Sequence, residues 1–106
     1  MADSPADIPS DNRPPASATA PLRVLVVDDH ALVRSGVRSE LTAHAPDLDV
    51  IAEADDIEDA IAAVHALRPD VVLLDVHLPG GNGGGGAEVV ASCHDVPETR
   101  FLALRI

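Results

Sequence analysis

The sequence predicts an α/β fold, a parallel sheet with helices on both faces. Two apolar runs, Leu22 to Val27, interrupted only by Arg23, and Val71 to Leu74, lead straight into carboxylates. Such runs mark strands covered on both sides, and the first polar residue marks the point where the chain leaves the core. Each run is followed by a segment whose apolar residues recur at helical spacing, and prolines or glycines punctuate the joins. Strands that alternate with single helices pair in parallel through right-handed crossovers.

The chain has 106 residues, room for one small domain. Met1 to Pro21 holds five prolines among Ser, Ala and Asp. That composition has too little apolar surface to offset the entropy of ordering, so residues 1–21 are expected to be a disordered leader rather than a partner-binding tail. The domain proper is residues 22–106.

Leu22 to Val27 is the first strand and ends at Asp28, Asp29 and His30. Val33, Val37 and Leu41 then recur every fourth residue, with Leu32 and Gly36 beside them, which predicts a helix over about 31–44 before Pro46. Val50-Ile51-Ala52 makes a short second strand within Leu48 to Ala54. Asp55 or Asp56 is the expected N-cap of a second helix, whose face Ile57, Ile61, Val64 and Leu67 runs to Pro69. Val71 to Leu74 is the third strand, closed by Asp75. Gly80 to Gly86 contains six of the seven glycines, a loop that needs either slack or positive φ. A third, short helix is expected from Ala87 to about His94, with Val89, Val90 and Cys93 inward, and Arg100 to Leu104 is a fourth strand. The order is β-α-β-α-β-α-β, with no internal repeat.

Composition excludes several roles. The formal charge is -11, all seven basic residues are Arg, and Lys is absent. A nucleic-acid or anionic membrane surface needs clustered Lys and Arg, so neither is expected for this chain. The single cysteine, Cys93, allows no internal disulfide and fits a reducing compartment. No run approaches the roughly 18 apolar residues of a membrane span, and the N-terminus lacks a signal-peptide pattern. A cytoplasmic protein is expected.

The acidic residues at the strand ends carry the chemistry. If the first and third strands are neighbours, Asp28, Asp29 and Asp75 meet at one edge of the sheet, where open α/β sheets bind ligands. Two carboxylates about 4 Å apart repel by about 4 kcal/mol at an effective dielectric near 20, so three need a counter-charge. A hard divalent cation supplies it, and a few carboxylates with waters left in place describe Mg²⁺ better than a Ca²⁺ cage. A cation beside an unencumbered Asp also suits phosphoryl transfer to a carboxylate. The glycine run lacks the Gly-Lys-Ser/Thr ending of a phosphate-binding loop and is expected to be slack. The five histidines show no shared-face metal spacing, Cys93 reads as a small buried apolar group, and Arg34 and Arg38 read as solvated.

Val24-Leu25-Val26-Val27-Asp28-Asp29-His30, then Val33-Arg34-Ser35-Gly36, then Pro69-Asp70-Val71-Val72-Leu73-Leu74-Asp75-Val76-His77-Leu78-Pro79 with Asn82-Gly83, resemble the receiver domain of two-component response regulators. The likeness runs from about Leu22 to Leu104 and is greatest to regulators with a LuxR-type helix-turn-helix output. It implies a flavodoxin-like sheet of order 2-1-3-4-5. It implies that Asp75 is the phosphoacceptor, charged from the phosphohistidine of a sensor histidine kinase that docks near the first helix. It implies that Asp28 and Asp29 hold Mg²⁺, directly or through water, joined by Asp75 and the backbone carbonyl of His77. Such a chain is a phosphorelay switch and not an enzyme.

Three features depart from the family pattern. Arg105 stands where a receiver has Ser or Thr at the end of strand four. The Lys that ends strand five has no counterpart, and neither do strand five and helices four and five. An incomplete receiver is therefore expected, with strand four an exposed apolar edge open to self-association. Two alternatives come from other classes. An aspartyl-nucleophile phosphatase would want a second Asp where His77 stands, and a Lys. A non-phosphorylated remnant would act as an interaction module.

Overall fold

The structure, a computed structural model, describes residues 20–104. The expected leader, apart from Ala20 and Pro21, and Arg105 lie outside the described residues. The elements are β1 (Leu22–Val27), α1 (Ala31–His44), β2 (Leu48–Ala54), α2 (Ile57–Leu67), β3 (Val71–Asp75), α3 (Gly85–Ser92) and β4 (Arg100–Leu104). All strand pairs are parallel and the sheet order is β2-β1-β3-β4. This is the four-strand part of the expected 2-1-3-4-5 sheet.

Burial follows the aliphatic runs. β1 is enclosed from Val24 to Val27, as an interior strand with helices on both faces must be. In β3 only Val72 and Leu74 are buried, while Val71, Leu73 and Asp75 are half-buried. Val72 and Leu74 face the main core, where Ile57, Ala60 and Val64 of α2 meet Val89 of α3 and Cys93 just after it. The opposite face is thinner. Val33, Val37 and Leu41 of α1 point at the sheet as expected, yet no residue of α1 is fully buried and Leu32 is 85% exposed. An apolar groove between α1 and β4, lined by Val37, Leu41, Leu73 and Leu104, leaves that stripe half covered.

Local chemistry sets the element ends. The Asp56 carboxylate caps α2 by accepting the Asp59 N–H at 2.7 Å. Arg68 turns the chain out of α2 in the left-handed region, φ 46°, ahead of Pro69. At the far end of the sheet the buried Thr99 hydroxyl donates to the Pro69 carbonyl at 2.6 Å, and the Arg23 N–H donates to the Asp70 carboxylate at 2.8 Å. These bonds hold the starts of β1, β3 and β4 level.

α3 departs from expectation. It begins at Gly85, inside the glycine run, not at Ala87, and ends at Ser92. A Cβ on Gly86 would come within 2.9 Å of the Asp75 carbonyl. Glycine lets the first turn of α3 lie directly against the end of β3, so the helix starts earlier than its apolar pattern does.

α2 and α3 are also joined at their outer ends. His65 Nε2 lies 2.8 Å from the Asp95 carboxylate and Nδ1 lies 2.9 Å from the Ile61 carbonyl. The bond to Asp95, then that to Ile61, holds the His65 imidazole above the ordinary histidine range. The bond from His65 holds the Asp95 carboxyl below the ordinary carboxylate range. A raised histidine stabilises fully below its unfolded pKa and loses that contribution as pH rises through its folded pKa; a lowered Asp contributes above its unfolded pKa and loses it as pH falls through its folded one. The link is thus strongest between about pH 4 and about 6.5. His65→Gln is expected to lower the thermal midpoint modestly at pH 5.5 and hardly at all at pH 8.5, followed by circular dichroism. An equal shift at both pH values would contradict the link.

Candidate phosphoacceptor and metal site

β1 and β3 are neighbours with Val27 opposite Leu74. Asp28 and Asp75, the next residue of each, therefore leave the sheet side by side at its carboxyl edge. The topology brings together what the aliphatic runs imply.

Asp28 is only 5% exposed. Its N–H donates to the Ala54 carbonyl at the end of β2 at 3.1 Å, and its carboxylate accepts the His30 N–H at 2.8 Å. Asp29, on the bend that follows, is exposed. His30 Nδ1 lies 3.1 Å from Asp28 Oδ1 and 2.9 Å from Asp29 Oδ1. The ligand atoms of Asp28, Asp29 and His30 fall within 4.8 Å of one another, close enough to share one ion. Asp75 is not a member of that close cluster. Its Oδ1 accepts the His77 N–H at 3.0 Å, a turn that faces the carboxyl along the sheet edge. Its other oxygen accepts no hydrogen bond among the described residues. The His77 carbonyl likewise accepts no backbone hydrogen bond in the described turns and loops.

The donor set fits Mg²⁺. Only its oxygen donors count toward a hard cation: the Asp28 and Asp29 carboxylates lie close together and Asp29 is open to solvent, so most of a coordination shell could remain water. Asp28 and Asp29 would hold the cation most directly, with Asp75 and the His77 carbonyl at the same edge.

The glycine loop is pinned, not slack. Gly80, Gly81, Gly83 and Gly85 do take positive φ. Glu58 of α2 accepts the Gly81 N–H at 2.7 Å, and Glu88 of α3 accepts those of Asn82 and Gly84 at 2.9 and 3.0 Å. Two carboxylates from two helices thus fix the loop that follows β3.

Arg34 is largely covered rather than solvated, whereas Arg38 is exposed as expected, and both are paired with Glu53. Arg34 donates through Nη1 to the Asp28 carbonyl at 2.6 Å and through Nε to Glu53 at 2.9 Å; Arg38 donates to the other Glu53 oxygen at 2.8 Å. The bond from Arg38, aided by that from Arg34 and opposed by burial, holds the Glu53 carboxyl below its ordinary range. The His30 ring also lies against the Asp28 and Asp29 carboxylates, a neighbour that the spacing of the histidines does not predict. Its place directly after two carboxylates was the available signal.

The family model of the response regulator receiver domain matches residues 24–100. The chain belongs to the response regulator receiver family. This receiver is 44% identical over 87 residues to the DNA-binding transcriptional activator DevR/DosR of Mycobacterium tuberculosis, covering 78% of this chain and 37% of that protein. It is 43% identical over 63 residues to the nitrate/nitrite response regulator NarL of Escherichia coli K12, covering 59% of this chain and 29% of that protein. The match thus spans 37% and 29% of the length of these two relatives. Among solved structures it resembles the signal receiver domain of the response regulator NarL from Mycobacterium tuberculosis, with TM-score 0.71 and 39% identity over 79% of this chain and 65% of that one. A LuxR-family response regulator from Aurantimonas matches with TM-score 0.68 and 34% identity, over 79% of this chain and 58% of that one. The sheet order and helix placement described above are those of the shared fold. No described helix is long and apolar enough to cross a membrane.

Proposed function

We propose that this receiver is a phosphorelay switch in which Asp75 accepts a phosphoryl group from the phosphohistidine of a sensor histidine kinase. The placement of Asp28 and Asp75 at the ends of adjacent strands carries this reading. A carboxylate oxygen of Asp75 attacks phosphorus, the P–N bond to the donor imidazole breaks, and an acyl phosphate remains on Asp75. The His77 N–H engages Oδ1 and leaves Oδ2 as the nucleophile. Asp28 and Asp29, with Asp75 and the His77 carbonyl, would hold Mg²⁺, which supplies charge neutralisation to the transferring oxygens when bound. The chain is a switch and not a hydrolase, because the position two residues after Asp75 is His77, with no second Asp to act on a leaving group.

A second reading is favoured by one observation. Among the described residues β4 pairs on one side only, and its Leu102 is 56% exposed, so an interaction module that self-associates along this edge would use the fold without the chemistry. One titration separates the two. The wild-type chain is expected to bind Mg²⁺, and Asp29→Ala to bind it more weakly by about tenfold or more, since even outer partners of metal ligands are worth that much. Identical titrations would refute the metal site, and a folded chain with no Mg²⁺ affinity would favour the interaction module.

A further inference from the structure

We infer that Arg34 is a positioning residue for the acidic pocket, one that aims Asp29 by gripping the peptide in front of it. The inference rests on the reading of Asp28 and Asp29 as cation ligands. The side chain of Asp28 and both polar groups of its backbone are held: its N–H by the Ala54 carbonyl, its carboxylate by the His30 N–H, and its carbonyl by Arg34 Nη1. Asp29 has no comparable hold. Its carboxylate meets only the His30 ring among the described residues. The Asp28 carbonyl, however, belongs to the peptide plane that leads into Asp29, so fixing that oxygen fixes the direction in which Asp29 leaves the backbone.

The guanidinium can do this without filling the pocket. Its Nε is committed to Glu53, and its side chain is only 16% exposed. Among the described residues it makes no ion pair with Asp28, Asp29 or Asp75. Glu53 lies next to Ala54 on β2, so α1, β2 and the end of β1 are tied at one point through a planar fork whose two donors aim in set directions. Arg38 holds the other oxygen of Glu53 but reaches the Val50 carbonyl, well away from Asp28.

Charge and position predict opposite signs. If Arg34 acted only as a nearby positive charge, removing it would strengthen Mg²⁺ binding. As a positioning residue, its loss weakens binding. Mg²⁺ titration of the full chain as wild type, R34A, R34K and R38A, each checked for fold by circular dichroism, reads the difference. R34A is expected to lose about tenfold in affinity, the scale of an outer partner of a metal ligand. R34K keeps the charge but lacks the fork and is expected to lose nearly as much, and it carries the test if R34A fails to fold. R38A is expected to titrate like wild type. Affinity in R34A or R34K equal to or above wild type would overturn the inference, as would an equal loss in R38A, which would reduce Arg34 to a general tie between α1 and β2. A wild-type chain that binds no Mg²⁺ would overturn the cation site itself, and this inference with it.

Discussion

Asp75→Asn is expected to lose phosphoryl acceptance completely while keeping its fold and its Mg²⁺ response in part. The amide oxygen of Asn can still accept the His77 N–H, so the turn after β3 survives the change. What disappears is the anionic oxygen. An amide is too poor a nucleophile to form the acyl phosphate, and the other acidic groups at the edge are already engaged, Asp28 by the His30 N–H and Asp29 by the His30 ring. After incubation with acetyl phosphate and Mg²⁺, the wild-type chain should gain one phosphoryl group and the variant none. An unchanged gain in the variant would move the acceptor away from Asp75.

The second large effect concerns stability. Gly85, the first residue of α3, has φ +64°, and a Cβ there would run into the Val76 carbonyl oxygen. That same oxygen accepts the Gly86 N–H at 3.0 Å. Gly85→Ala therefore combines the cost of a left-handed alanine, about 1–2 kcal/mol, with displacement of a backbone acceptor worth about 1 kcal/mol. Because a kcal/mol moves the midpoint of so small a domain by about 4–8 °C, a fall of about 10–20 °C in thermal midpoint is expected. Gly83→Ala is the internal comparison, since φ there is +84° but nothing lies within 4 Å of the added Cβ; it should cost only the backbone strain. Equal midpoints for Gly85→Ala and wild type would show that α3 can start without a glycine.

These two positions mark what the sequence discloses and what it hides. Strands β1 and β3 are legible because four or more aliphatics run into an Asp, and burial of Val24 to Val27 bears this out. The placement of Asp28 and Asp75 at the ends of adjacent strands follows once β1 and β3 are neighbours in a parallel sheet. The residues that hold the site were hidden for a different reason. Arg34 reads as a polar position on an amphipathic helix, and only the rotation of α1 against the end of β1 reveals that it faces Asp28 and Glu53. Glu58 and Glu88 sit 23 and 4 to 6 residues from the loop N–H groups they accept, and no local period encodes that meeting. Helix α3 begins before its apolar pattern because approach to the Asp75 carbonyl, not hydrophobicity, decides its first turn. Patterning reports burial; it is silent on pairings between polar groups that the fold creates.

We propose the carboxyl edge of β1 and β3 as a Mg²⁺-dependent phosphoacceptor site. The most direct measurement is the intact mass of the folded wild-type chain after acetyl phosphate treatment, with Mg²⁺ and with the metal chelated, followed by peptide mapping of any modified residue. One added phosphoryl group, present only with Mg²⁺ and mapped to Asp75, is the predicted result. A folded chain that binds Mg²⁺ and gains no mass, or gains it elsewhere than Asp75, would contradict the account.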